Sequence, residues 1–136
     1  MPALARGPGP LRLRLPAPSL PNRLREVRAL VARWAGRLGL PAEAVDDIVL
    51  ATHEALANIA DHAYPDGGGD AELDAACVQG EVRVVVRDHG NWRAPSPGPG
   101  WRGRGLVLIA GLAEHVDVQC AAAGTSVAMR WRLPRT

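Results

Sequence analysis

The stretch HEALANIADHAY, His53–Tyr64, has the alanine content of an ordinary helix, yet carries polar side chains along one line. Glu54 and Asn58 lie four residues apart, so on a helix they share a face with Cβ atoms about 6 Å apart. Asp47 and Ala51 continue that line backwards, and an acidic-polar stripe runs beside an apolar one. Two readings stand at this level. A solvated helix face is the simpler one. An oxygen-ligand site for Mg2+ is the chemical one, with the Asn carbonyl oxygen as ligand and the Glu placed to orient a water or accept a proton.

Working outward, Gly39 closes one helix and Pro41 opens the next, which the pattern carries to about His62. The preceding helix runs through NRLREVRALVARWAGRL, with Ser19 as its expected N-cap and Pro21 in its first turn. Leu24, Val27, Leu30, Val31 and Trp34 form its buried stripe; Arg23, Arg25, Arg28, Arg33 and Arg37 lie mostly off it, most simply as a solvated face and alternatively as a partner surface. Ahead of it LRLRL alternates strictly, Leu11, Leu13 and Leu15 against Arg12 and Arg14, as a half-buried strand ended by Pro16 and Pro18.

Downstream, YPDGGGD is a turn, and AELDAACV and EVRVVVRD are strands joined through Gln79-Gly80 as a hairpin. HGNWRAPSPGPGW is a Gly/Pro-rich loop, GRGLVLIAGLAEH a short helix, and VDVQC and TSVAMRWRL two strands joined by AAAG. The last strand buries Val127, Met129, Trp131 and Leu133. Residues 1–10 are read as a flexible segment and residues 11–133 as one domain. The expected fold class is α/β (α+β): a two-layer sandwich, a largely antiparallel mixed sheet with three helices on one face.

Composition removes several functions. All 16 basic residues are Arg, so a Walker A loop, a lysine Schiff base and a Ser-Lys dyad are excluded. The net charge of +2 is too balanced for a phosphate-coating nucleic-acid binder, so no direct nucleic acid is expected. Leu106–Ala113 is the longest apolar run, far short of the ~20 residues a membrane span needs, and MPALARGPGP has no signal-peptide core. A cytoplasmic protein without membrane contact follows as the expectation. Cys77 and Cys120 lack CxxC spacing and are read as buried, reduced thiols. The four His show no metal-ligand spacing, and Asp88 and His89 point to opposite faces of a strand, which argues against a dyad.

Three further places break local logic. Asp88 ends a Val-rich strand two residues before Gly90; it is a turn initiator or an acceptor for a purine amino group. Gly103-Arg104-Gly105 opens a helix, where backbone N–H groups favour anions, although G-x-G-x-x-G fails at Leu108. Gly124 and Thr125 start the last strand, and a hairpin turn explains them adequately.

Taken in order, Glu-x-x-x-Asn on a helix, Asp-x-Gly after a strand, a loop, Gly-x-Gly before a helix and Gly-Thr on a late strand resemble the Bergerat ATP-binding fold. Within that superfamily EALANIADHAY, VRDHG, GRGLVLIAGLAEHVDV and GTSVAMRW look most like the bacterial anti-sigma factor serine-protein kinases of stress-response and sporulation switches. The resemblance implies ATP and Mg2+ as cofactors. It implies Asn58 as the Mg2+ ligand and Glu54 as the base for an incoming serine hydroxyl. Asp88 would receive the adenine amino group, with Gly90 beside the ring and Thr125 supporting it. Gly103 and Gly105 would present backbone donors to the phosphates, Leu106 would also belong to the nucleotide site, Arg102 or Arg104 would steady the γ-phosphate, and Ala94–Arg102 would form the lid. Asn91-Trp92 departs from the family, since many superfamily members carry a second glycine there.

Only ten residues precede Leu11 and PRT follows Leu133, which disfavours a histidine kinase or a gyrase-type ATPase with its extra domains. The implied role is therefore a serine-protein kinase and anti-sigma factor. Its partners would be a sigma factor and an anti-anti-sigma antagonist protein, with a homodimer through the first strand and helix. The alternative is a non-catalytic ATP-binding module that sequesters a protein partner.

Overall fold

The computed structural model describes residues 8–64, 68–90 and 103–133. In chain order they form β1 (Leu11–Pro16), a 3-10 turn (Ala17–Ser19), α1 (Leu20–Gly36), α2 (Ala42–Asn58), a π-helical turn (Ile59–Ala63), β2 (Asp70–Val78), β3 (Glu81–Asp88), α3 (Gly103–Leu112), β4 (His115–Ala121) and β5 (Gly124–Arg132). Most of the segment expected to be flexible, all of the expected lid and part of the YPDGGGD turn lie outside the described residues.

The strands make a five-stranded sheet in the order β1-β2-β3-β5-β4, and every pairing among them is antiparallel. Its register follows from alternation. Leu13, Leu73, Val86, Val127 and Val118 stand side by side across all five strands, one apolar row on one face. A one-residue slip anywhere would put this row into water, which is what fixes the pairing. Gln79 and Gly80 both have positive φ, 52° and 77°, the conformation a two-residue hairpin needs to match strand twist.

The helices cover the apolar face, α2 packing between α1 and α3. Leu20, Val27, Val31 and Trp34 of α1, Ile48 and Leu56 of α2 and Ile109 of α3 are buried against Leu73, Val84, Met129 and Trp131 of the sheet. Truncating a fully buried side chain such as Leu56 or Met129 to Ala costs about 2–5 kcal/mol, because transfer energy and a cavity are lost together. The opposite face carries the charged half of each alternation. Arg12 and Arg87 flank Asp74, Arg14 meets Asp70, and Glu81 lies between Arg83 and Arg130. These exposed pairs contribute solubility more than stability.

Four local expectations are corrected. Ser19 does not cap α1; its hydroxyl donates to the Pro16 carbonyl, closing the 3-10 turn that joins β1 to the helix. The α-helical hydrogen bonding of α2 ends at Asn58, and the chain widens into a π turn through Ala63, a feature frequent at functional sites. α3 stops at Leu112, and His115 already pairs with Arg130. Both cysteines are free but exposed, not buried. Cys77 lies beyond Ala75, where β1 stops covering β2, and Cys120 sits on the edge strand β4, so each lacks a neighbour on one side.

Candidate nucleotide recess

The row next to the apolar one is Leu15, Ala71, Asp88, Thr125 and Cys120, and there the inner face turns polar. Asp88 is the last residue of β3 and only 3% exposed; Thr125, its partner on β5, is 6% exposed. Beside them opens a recess of about 350 Å3, its mouth included. α2 supplies Ala55 and Asn58 and the following turn Ile59; α3 supplies Leu106, and β4 contributes Val118 and Cys120. Val86 and Val127 complete the wall. The walls stand close together, with room between them for about one water, so a larger ligand needs them to part.

The backbone around Asp88 is held in place from several sides. Its Oδ1 accepts the Gly90 N–H at 2.9 Å. The next amide, His89 N–H, donates to the Tyr64 hydroxyl at 2.8 Å, and that hydroxyl donates to the Asp70 carbonyl at 2.6 Å. Two glycines allow this crowding. A Cβ on Gly90 would lie 2.0 Å from the Ala63 carbonyl oxygen, and one on Gly124, whose φ is +141°, 2.0 Å from the Asp88 carbonyl oxygen. His89 turns away to Glu72, its Nε2 3.0 Å from the carboxylate on the exposed side. The imidazole hydrogen bond holds the Glu72 carboxyl below its ordinary value, against the opposing effect of burial.

Asn58, Asp88, Leu106 and Thr125 thus border one recess, drawn from four elements. Glu54 stands one helical turn before Asn58, half-exposed and off the recess wall. Gly90 is buried at the rim. Gly103, Arg104 and Gly105 form the first turn of α3, and Arg102 lies outside the described residues. A mostly apolar slot with one buried carboxylate suits a flat ring bearing an amino group. Among the described residues no cluster of three His, Cys, Asp or Glu could cage a metal. Mg2+ needs none when it arrives on phosphates, and Asn58, half-exposed at the rim with its carboxamide unbonded among described groups, fits as one protein oxygen.

Several wall residues went unread in the sequence. Cys120 and Val118 reach the recess only through the register of the β4–β5 hairpin, which the AAAG turn fixes by pairing Ala121 with Gly124. Tyr64, the one tyrosine of the chain, carried a signal in lying just ahead of the Gly-rich turn.

Sheet order, helix layer and recess define the class: a two-layer α/β sandwich with a recess between the helices and the inner strands. The chain belongs to the histidine kinase-like ATPase domain family, whose model matches residues 17–131. It is similar to the serine-protein kinase RsbW of Halalkalibacterium halodurans, 38% identical over 64 residues, covering 47% of this chain and 39% of that protein. It is also similar to RsbW of Oceanobacillus iheyensis, 24% identical over 79 residues, covering 57% of this chain and 50% of that protein. The chain therefore spans half or less of these curated relatives. Among solved structures, the RsbU and RsbW domains of Rv1364c from Mycobacterium tuberculosis superpose with a TM-score of 0.75 at 27% identity, over 95% of this chain and 34% of that one. No helix among the described residues is long and apolar enough to cross a membrane.

Proposed function

We propose that the chain, as one domain over residues 11–133, is an ATP-dependent serine-protein kinase of the anti-sigma type, acting in the cytoplasm. It phosphorylates a serine of an anti-anti-sigma antagonist and sequesters a sigma factor, working as a homodimer. The observation that carries this is the convergence of Asn58, Asp88, Leu106 and Thr125, from four separate elements, on one recess in a chain of this family. Similarity to two RsbW kinases supports the choice among the family's activities.

In this reading the adenine ring enters between Ala55, Ile59 and Val127, and Asp88 accepts its amino hydrogen. Thr125 offers a hydroxyl beside it, and Gly90 keeps the rim free of a side chain. The N-terminus of α3, at Gly103 and Gly105, presents backbone donors to the phosphates, where the helix dipole favours negative charge. Arg102 or Arg104 adds the cation that lysine supplies elsewhere. Asn58 would hold Mg2+, which would supply charge neutralisation at the phosphates. Glu54, one turn away, takes the proton of the serine hydroxyl. The new phosphate weakens the antagonist's hold by charge and desolvation, freeing the kinase for sigma factor.

Radiolabelled ATP with candidate antagonist proteins tests this. Label is expected on an antagonist serine with the wild type and is lost with Glu54→Ala and with Asn58→Ala. Nucleotide-dependent partner binding with no phosphoserine formed would replace the kinase by a non-catalytic ATP-binding module that sequesters its partner.

A further inference from the structure

Cys120 differs from an ordinary surface cysteine in where its strand places it. Val116, Val118 and Cys120 alternate onto the inner face of β4, and Cys120 stands directly opposite Thr125 in the register. Both border the recess, yet Cys120 is exposed because β4 is the edge of the sheet. Thr125 marks the same spot independently. It is buried on the recess wall, and its hydroxyl makes no hydrogen bond with any described residue. The hydroxyl is not one of the sealed, unpartnered polar atoms of the core, so it stays open to the recess and available to the polar atom of a ligand.

The second cysteine provides a built-in contrast. Cys77 lies on the same face but six residues along β2 from the Ala71–Asp88 pair, about 20 Å from the recess end at ~3.3 Å per residue. Two strands, β3 and β5, separate β2 from β4. Adjacent strands are about 4.8 Å apart, so the two thiols are far beyond the reach of a disulfide within one chain.

We propose that Cys120 is a thiol-modification site at the mouth of the nucleotide recess, and that S-thiolation by a low-molecular-weight disulfide of the glutathione class excludes nucleotide. The thiolate of Cys120 attacks one sulfur of the disulfide. A bond forms between Sγ and that sulfur, and the disulfide's own S–S bond breaks. The second sulfur leaves as a thiolate and takes up the proton that Cys120 gave up. Cys120 is oxidised, half of the disulfide is reduced, and an excess of free thiol reverses the exchange. The attached peptide then lies against Val118, Leu106 and Thr125, the wall the nucleotide needs. Bound nucleotide in turn shields Sγ. The competing ligand rests on the proposed ATP reading; the placement of the thiol does not.

The test uses the full chain and begins with an ATP titration of untreated protein, which separates the two ideas. No binding there would overturn the ATP reading and the mutual exclusion with it. With binding established, both cysteines are alkylated with limiting iodoacetamide, with and without Mg-ATP, and the two peptides are quantified by mass spectrometry. At about ten times Kd of nucleotide, Cys120 labelling is expected to slow about tenfold, following the free fraction, while Cys77 labelling stays unchanged. Protein treated with oxidised glutathione should lose ATP binding and regain it with dithiothreitol. Cys120→Ser, compared with its own untreated baseline, should keep its affinity through the treatment, and Cys77→Ser should respond as wild type does. Equal Cys120 labelling with and without ATP, or unweakened ATP binding by protein glutathionylated at Cys120, overturns the proposal while leaving the ATP reading standing.

Discussion

The Tyr64 hydroxyl accepts the His89 N–H at 2.8 Å, tying the end of the α2 segment to the residue that follows Asp88. The same oxygen donates to the Asp70 carbonyl at the start of β2. One side chain therefore sets the spacing between the helix that carries Glu54 and Asn58 and the strand end that carries Asp88. Tyr64→Phe keeps the ring and removes both bonds. The expected loss is about 1–2 kcal/mol of stability in urea denaturation, each hydrogen bond being worth about 1 kcal/mol. ATP binding should weaken in the same variant, because Asp88 is no longer held from that side.

The glycines around Asp88 respond to any side chain. At Gly124 two obstacles act together: the φ of +141°, and the Asp88 carbonyl oxygen, which would lie 2.0 Å from an added Cβ. At Gly90 the Ala63 carbonyl stands equally close. Gly124→Ala should cost about 2 kcal/mol or more, as a non-glycine residue forced into that region does, and abolish ligand binding. Gly80→Ala, in a hairpin with open space around it, should cost less and leave binding intact. Thermal melts and ATP titrations of the two variants side by side check this.

Thr52 is fully buried in α2, and its hydroxyl has no partner among the described residues. Valine has the same shape without the oxygen. Thr52→Val is expected to raise stability by about 1 kcal/mol, the order of the cost of burying an unpaired hydroxyl. A fall in the denaturation midpoint would mean that the hydroxyl is satisfied in solution.

Much of this architecture was legible in the residues. LRLRL and EVRVVVRD announced their strands by alternation, and Gln79-Gly80 its hairpin, because burial on one face and a two-residue turn leave little choice. The polar line Glu54–Asn58 was visible too, but as a line only; that Asn58 borders a recess and Glu54 does not depends on how α2 rotates against the sheet. The exposure of Cys77 and Cys120 was misread for a related reason. Local sequence shows a strand, whereas burial depends on whether a neighbouring strand covers it, and strand order is not written locally. The role of Tyr64 is not legible in the sequence, since its two partners, Asp70 and His89, are brought to it only by the fold.

The Glu72–His89 contact predicts a pH dependence. Because the folded carboxyl sits below its ordinary value, its contribution is present above the unfolded glutamate pKa of about 4.3 and is lost as pH falls through the folded value. Both side chains meet solvent, so the size is about a few tenths of a kcal/mol. Wild type should exceed Glu72→Gln in denaturation midpoint at about pH 7, and the gap should narrow as pH falls below about 4.3.

Calorimetric titration of Mg-ATP into wild type and Asp88→Asn probes the adenine site itself. Asparagine can still accept the Gly90 N–H through its oxygen, so the local backbone stays, but its amide presents a donor where the adenine amino group needs an acceptor. Saturable binding by wild type is expected. The variant should lose at least about tenfold in affinity with an unchanged melting temperature, the order expected when a buried polar contact is mismatched. Absence of binding by wild type, or equal affinity in Asp88→Asn, would contradict the assignment of Asp88 as the adenine acceptor.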